Sequence, residues 1–233
     1  MINLGSTEFV LQAPSLPEDH LASLSTSLFD SWESFAERSL TLPDYSLFLQ
    51  VEEGSIRGLA ATGAFAYAVY LGIGNYGDFI SGLKTINDQL GSIREYVAAE
   101  APRIFPCHET LATKKRGGAL AALQRLFVKV QKGELAPDDA MNQATALLGA
   151  EAASEPGFFR DLDNALRTCP RFHAQLPLPL GDIPDDDLQA IPDPQRPGRP
   201  ARPKPPLGPA LQFRVEVWRE SKTKRKETRI VRL

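Results

Sequence analysis

From Phe65 to Val97 a single apolar register runs without a break when the chain is wound at helical spacing. Phe65, Val69, Gly72, Tyr76, Phe79, Leu83, Ile86, Leu90, Ile93 and Val97 follow one another in alternating steps of four and three. That is the a/d pattern of a helix that keeps one face against a neighbour over several heptads. The spacing predicts a long helix over 57–101, and it demands a surface to receive the seam of Phe65, Val69, Tyr76, Phe79, Leu83, Ile86, Leu90, Ile93 and Val97. In its first half Ala60, Ala64, Ala68 and Gly72 form a stripe of small residues at intervals of four, which lets a second helix approach closely.

The stretch Gly58 to Gly77 carries no charge over twenty residues, and as a helix it would rise about 30 Å, the thickness of a bilayer core. Five glycines outside the apolar set, with Thr62 and Asn75, weaken insertion, so burial in protein is the first reading and entry into a membrane the alternative. Gly72-Ile-Gly-Asn-Tyr-Gly77 also matches GxGxxG. A dinucleotide loop needs a strand after its helix with an acid near the strand's end, and residues 98–130 supply only a brief Arg-Ile-Phe before polar and helical sequence. The glycines are therefore read as close-packing positions or a kink.

The flanks are of a different character. Glu8 to Ala13 reads as a strand, Ser15-Leu-Pro-Glu18 as a capping box, and Leu21, Leu24, Leu28, Trp32 and Phe35 as the apolar face of a helix to about Arg38. Tyr45, Leu47, Leu49 and Val51 alternate as a half-buried strand does. Residues 1–56 are thus a β-α-β unit, with a right-handed crossover if its strands are parallel in one sheet. Over 102–173 the chain is helical: Leu120, Leu123, Phe127 and Val130 share one face, Pro137 opens another helix with Asp138 and Asp139 in its first turn, and Pro156 a further one with Phe159, Leu162 and Leu166.

Eleven of the 19 prolines lie between Pro177 and Pro209, so 174–209 reads as an extended linker. Beyond it, Leu211, Phe213, Val215 and Val217 alternate, and Arg229, Val231 and Leu233 can return, which makes 210–233 a β-hairpin with a long tip. An isolated hairpin is marginal, so it is expected to add to the N-terminal sheet or to a partner's sheet edge. Residues 1–195 carry 14 Lys/Arg against 26 Asp/Glu, and 196–233 carry 12 against 3. An acidic body thus bears a basic tail, with Lys222, Lys224, Arg225, Lys226, Arg229 and Arg232 in or beside the hairpin tip. Such a tail can bind nucleic acid, an anionic membrane, an acidic partner or its own body.

No constellation of catalytic type stands out. Cys107 and Cys169 are too few for a disulfide framework, and with His108 and His173 they lack the spacing of a zinc site. Glu52 and Glu53 point to opposite faces of a strand, Asp185-Asp-Asp187 lies among prolines, and His20, His108 and His173 have no nucleophile at a diagnostic spacing. Catalytic, cofactor and metal sites are therefore not expected. The N-terminus has neither the basic start nor the apolar run of a secretion signal, which points to the cytoplasm, with membrane association as the variant. The fold class is α+β. The function expected is that of a non-enzymatic accessory or adaptor protein, with a protein partner or a second copy on the long helix and another partner on the tethered tail. Two alternatives stand beside it: a membrane-acting effector of toxin or defence type that inserts Gly58 to Gly77, and weak, sequence-independent nucleic-acid binding by the basic tail.

Overall fold

Ile2, Leu4, Thr7, Phe9 and Leu11 turn to one side of the first strand and are buried, while Asn3, Ser6, Glu8 and Val10 turn to the other. This period of two organises the whole sheet. The computed structural model describes residues 1–153, 155–172 and 213–233, so the Pro-rich linker, His173, Asp185 to Asp187 and Leu211 lie outside the described residues. Strand β1 is Ile2–Gln12, helix α1 Glu18–Ser39, and β2 Ser46–Glu52. Gly54, at φ 106°, closes a tight turn into β3, Ile56–Ala64, which pairs antiparallel with both β2 and β1. Strands β1 and β2 therefore run parallel with β3 between them. After α2 (Ala66–Gly74) and α3 (Phe79–Ile104), β4 (Glu109–Gly117) returns antiparallel along the free side of β1.

The strand order β4-β1-β3-β2 with helices after the first and third strands is the split β-α-β connectivity of ferredoxin-like domains. The C-terminal strands β5 (Phe213–Arg219) and β6 (Glu227–Arg232) extend it at the β2 edge, giving six antiparallel neighbours in the order β4-β1-β3-β2-β5-β6. The chain is thus α+β as its patterning predicts, and the hairpin joins the N-terminal sheet. Ser15 does not cap α1: its hydroxyl donates to Glu53, and Pro17 stands at the N-cap without a side-chain bond.

Residues 57–101 are not one helix. Their first part is β3, and the small residues read as a helical stripe are divided between elements, Ala60 and Ala64 on β3 and Ala68 and Gly72 on α2. The reason lies in the neighbours. On the helix-covered face of β3, Gly58 sits between Phe9 and Val51 in register, and Ala60 between Thr7 and Leu49, so large flanking side chains fill the space that small central ones leave. A Cβ on Gly58 would meet the Phe9 ring at 1.9 Å. The second break falls at the end of α2, where Gly77 takes φ 82° and the Asp78 carboxylate accepts the Ser81 N–H at 2.9 Å to start α3 afresh. Phe65, the first member of the seam, lies outside both helices and is 41% exposed. Among the described residues no helix is long and apolar enough to cross a membrane.

Helices α1 and α3 pack side by side over the sheet, joined by the stacked rings of Phe35 and Tyr96 at 4.2 Å. Helices α4 (Ala119–Gln131), α5 (Pro137–Ala153) and α6 (Pro156–Thr168) gather beside α2 and α3. Phe79 is their junction, with ring centroids 6.1 Å from Phe127 and 5.5 Å from Phe158. The described residues form one compact unit, and the sequence segments 1–56, 57–101 and 102–173 are parts of it. Gly58→Val should lower unfolding free energy by about 1–3 kcal/mol, the scale of an overpacked core. The cost should shrink in a Phe9→Ala background. Denaturant titration of the four-member cycle measures both.

Candidate interaction surfaces

The seam expected to receive a partner is occupied by this chain. Leu83, Ile86, Leu90, Ile93 and Val97 are each no more than 1% exposed and belong to the core, together with Val69, while Tyr76 and Phe79 pack partly buried against it. The partner surface required by the four-three spacing is supplied by α1, the sheet and α4. Helical periodicity reports that a face is buried, not by whom, and here the surface that buries it belongs to the same chain. The small-residue positions Ala60, Ala64, Ala68 and Gly72 are buried too. In the GxGxxG match, Gly72 packs on Leu42 and Ile86 within a helix–helix junction, so the motif opens no phosphate loop.

No helix among the described residues packs on the other face of the sheet. Val10 on β1, Leu59 and Ala61 on β3, Phe48 and Gln50 on β2 and Trp218 on β5 all point away from the helices and remain partly exposed. Phe48 and Trp218 are directly opposite in register, and Phe48 is also opposite Ala61. Both aromatic rings line a cleft of about 390 Å³ with Met1, Ser46, Glu216 and Arg229. The charged groups that line it are paired within the chain: Arg229 donates to Glu216 at 2.9 Å, Glu220 holds Lys224, and Arg219 meets Glu33 and Glu37. At the β4 edge of the same face Arg116 lies 3.0 Å from Glu8, and Lys114, opposite Glu8 in register, has no ion-pair partner among the described residues. The aromatic pair is therefore bordered by neutralised polar groups, and the unmatched Lys114 lies at the far edge of this face.

The basic hairpin is folded back on the acidic body. Arg219, only 5% exposed, takes the inward position at the end of β5, where its Nη1 lies 2.6 Å from Glu33 and 2.9 Å from Glu37 on α1. Its guanidinium stands 5.6 Å over the Tyr45 ring. Burial pushes the Tyr45 hydroxyl up to about 12, against the pull of Arg219. Burial also raises the Glu33 carboxyl, with Arg219 opposing. At the tip, Asp44 accepts hydrogen bonds from the Lys222 N–H (2.8 Å), the Ser221 hydroxyl (2.9 Å), the Tyr45 N–H (2.9 Å) and the Tyr67 hydroxyl (3.1 Å). Burial pushes its carboxyl up, and these four bonds outweigh it and hold the group below its ordinary 3.8. Lys224 pairs with Glu220, Lys226 with Asp30, Arg229 with Glu216 and Arg232 with Glu18. Lys222 lies over Tyr45, so Arg225 alone of the six tail cations has no acidic or aromatic partner among the described residues.

Among the described residues no group of three or more His, Cys, Asp and Glu is placed to hold a metal ion. Cys107 and Cys169 are free thiols bonded to the carbonyls of Pro102 and Leu166, and burial raises the Cys169 thiol. Glu52 serves Arg214 and Glu53 accepts from Ser15, and Asp138 meets Arg167.

Three functional features escape a reading of the sequence. One is β3, signalled only by Gly54 after a strand. Another is Asp44, an ordinary turn residue until the distant hairpin reaches it. The third is a run from 110 to 133 with six Lys/Arg and no Asp/Glu, hidden in a body that is acidic on average. Arg219→Ala should cost about 1–3 kcal/mol by leaving the partly buried Glu33 without its cation, and Arg219→Ala with Glu33→Gln should cost less, as measured by urea unfolding. The lowered Asp44 carboxyl contributes stability that is fully present above its unfolded value and lost as pH falls through the folded one. Asp44→Asn should therefore be weaker than wild type at neutral pH and lose less on acidification, as read from unfolding midpoints over the acid range. Compared with known proteins, the chain matches no family model, no curated protein and no solved structure.

Proposed function

We propose that this protein is a non-enzymatic adaptor that captures a protein partner on the open face of its sheet. The observation that carries the reading is the Phe48–Trp218 pair, two large aromatic side chains set opposite each other on the face that the described helices leave uncovered. Burying an aromatic side chain contributes roughly 1.5–3 kcal/mol, so leaving two partly in water forgoes stabilisation that the helix-covered face obtains everywhere. Trp and Arg are also the residue types that dominate binding energy when a partner excludes water around them. Here Arg229 lines the same cleft as the aromatic pair and is already held by Glu216, so little of its side-chain freedom remains to be lost on association. The long-helix seam cannot serve this role without unfolding, since its side chains are the core.

The partner comes from the cellular side of the test. A photo-crosslinking residue placed at Phe48 or Trp218 should give discrete protein adducts in the source cell, while the same residue at the exposed Ser23 of α1 should not. Equal labelling from both faces, or none from the sheet, would remove the reading. If the adduct has twice the mass of the chain, the partner is a second copy.

A further inference from the structure

Outside the open face lies a second surface with a different character. Within the run from 110 to 133, Lys115 reaches Glu95, Arg116 reaches Glu8, and Lys132 stands 4.0 Å from Glu134. Lys114, Arg125 and Lys129 have no ion-pair partner among the described residues. In the hairpin, by contrast, Lys224, Lys226, Arg229 and Arg232 each meet an acid and only Arg225 is left without an acidic or aromatic partner among the described residues. Arg125, Lys129 and Lys132 are exposed and follow at intervals of four and three on α4, so they form one row, about 10 Å long at helical rise.

The row borders a groove of about 480 Å³ that includes Ala121, Gln124 and the 39% exposed Val128, with Glu134 beside Lys132 as its one acid against three cations. A second groove begins where the first ends. It is about 480 Å³ in volume, shares Arg125, and runs past Gly117 to Leu147, which is 42% exposed. Strand β4 ends beside this place at Gly117, while its Lys114, opposite Glu8 in register, belongs to the open face of the sheet. The negative end of the α4 dipole accounts for the cations at its C-terminal end, Lys129 in the last turn and Lys132 at the C-cap. It does not account for Arg125 in the middle of the helix.

We propose that Arg125 and Lys129 of α4, with Lys132 at its C-cap, form a docking strip for an acidic, amphipathic segment of a partner protein. Charge complementarity selects an acidic occupant, and the apolar floor of Ala121, Val128 and Leu147 selects one with hydrophobic side chains of its own. A nucleic acid fits less well. The strip offers no exposed aromatic ring for bases to stack on. A long polyanion would also meet the acidic remainder of the body, whereas a short peptide would not. The strip is separate from the Phe48–Trp218 face, so a chain with both can hold two partners at once.

The test uses the full chain and a labelled synthetic peptide of alternating Glu and Leu turns, compared with the same peptide carrying Gln for Glu. Fluorescence anisotropy at low and raised salt should show binding of the acidic peptide, weakened by salt, and little binding of the Gln version. Arg125→Glu, Lys129→Glu and Lys132→Glu together should reduce affinity about tenfold or more, as expected for several lost charge contacts. The circular dichroism and melting curve should stay those of wild type. Lys224→Glu with Arg225→Glu at the hairpin tip should leave affinity unchanged. Failure of the acidic peptide to bind, equal loss in the tip variant, or tighter binding of a single-stranded or duplex oligonucleotide would overturn the proposal. Loss of peptide binding in Phe48→Ser with retention in the α4 variant would assign the peptide to the sheet face instead, overturning the strip while leaving the adaptor reading intact.

Discussion

The small side chains of β3 are the constraint on which the other parts depend. Helix α1 packs against β2 and β5 and helix α3 against β1 and β4, on either side of a central strand whose inward residues after Ile56 are Gly58, Ala60, Thr62 and Ala64. The volume missing at β3 is filled by Phe9, Val51, Leu49 and Leu47 from its neighbours, so packing density is restored across strands instead of along one. The arrangement also decides which side of the molecule is finished. The helix-covered face is closed by many large side chains against small ones. The opposite face keeps its own large residues, Phe48 and Trp218, without a counterpart among the described residues.

A hairpin that joins the sheet from the far end of the chain must overcome loop closure, but that entropy grows slowly, by about 0.6 kcal/mol for each doubling of length. Position matters more than tether length. Strand β5 brings Val215 and Val217 into complete burial beside β2, and Arg219 to the two glutamates of α1. Asp44, in the turn before β2, then binds the backbone and side chain of the tip, so a loop of the body and a loop of the tail fix one another. The charge division along the sequence, acidic body and basic tail, is consequently an internal electrostatic match. Partially buried pairs such as Arg219 with Glu33 secure register more than they add stability, because desolvation offsets much of their attraction.

Much of this organisation can be read in the residues. The α+β class, α1, β2, the starts of α5 and α6 at Pro137 and Pro156, and the hairpin follow from periodicity and turn chemistry. The reading fails where two periods coincide. Ala60 and Ala64 are four apart, as a helix face requires, and also an even number apart, as a strand face requires, and a run of Gly and Ala has no bulky residue to choose between them. The tie is broken by the neighbouring strands, by Val51 across the β2–β3 turn and by Phe9, which is remote in sequence. Strand β4 is missed for a related reason: an edge strand exposed on both faces shows no alternation at all. The site was less legible than the fold, since the seam's periodicity is genuine while its partner is internal, and nothing in a one-dimensional pattern distinguishes the two.

Once the seam and the hairpin are assigned to folding, the surface left over has a division of labour. Around Phe48 and Trp218 the open sheet face has neutralised charge, so association there would depend weakly on salt and strongly on shape. The strip on α4 has unmatched charge at Arg125 and Lys129 and a shallow apolar floor, so association there would be fast, salt-sensitive and tolerant of sequence. On the two proposals together, electrostatic capture of an acidic segment on α4 would raise its effective concentration near the sheet, and the aromatic pair would supply the slower, longer-lived contact. For such coupling the two sites need only be joined by a rigid body, and the split β-α-β core, with β1 bridging the β4 edge and the central strands, is that body.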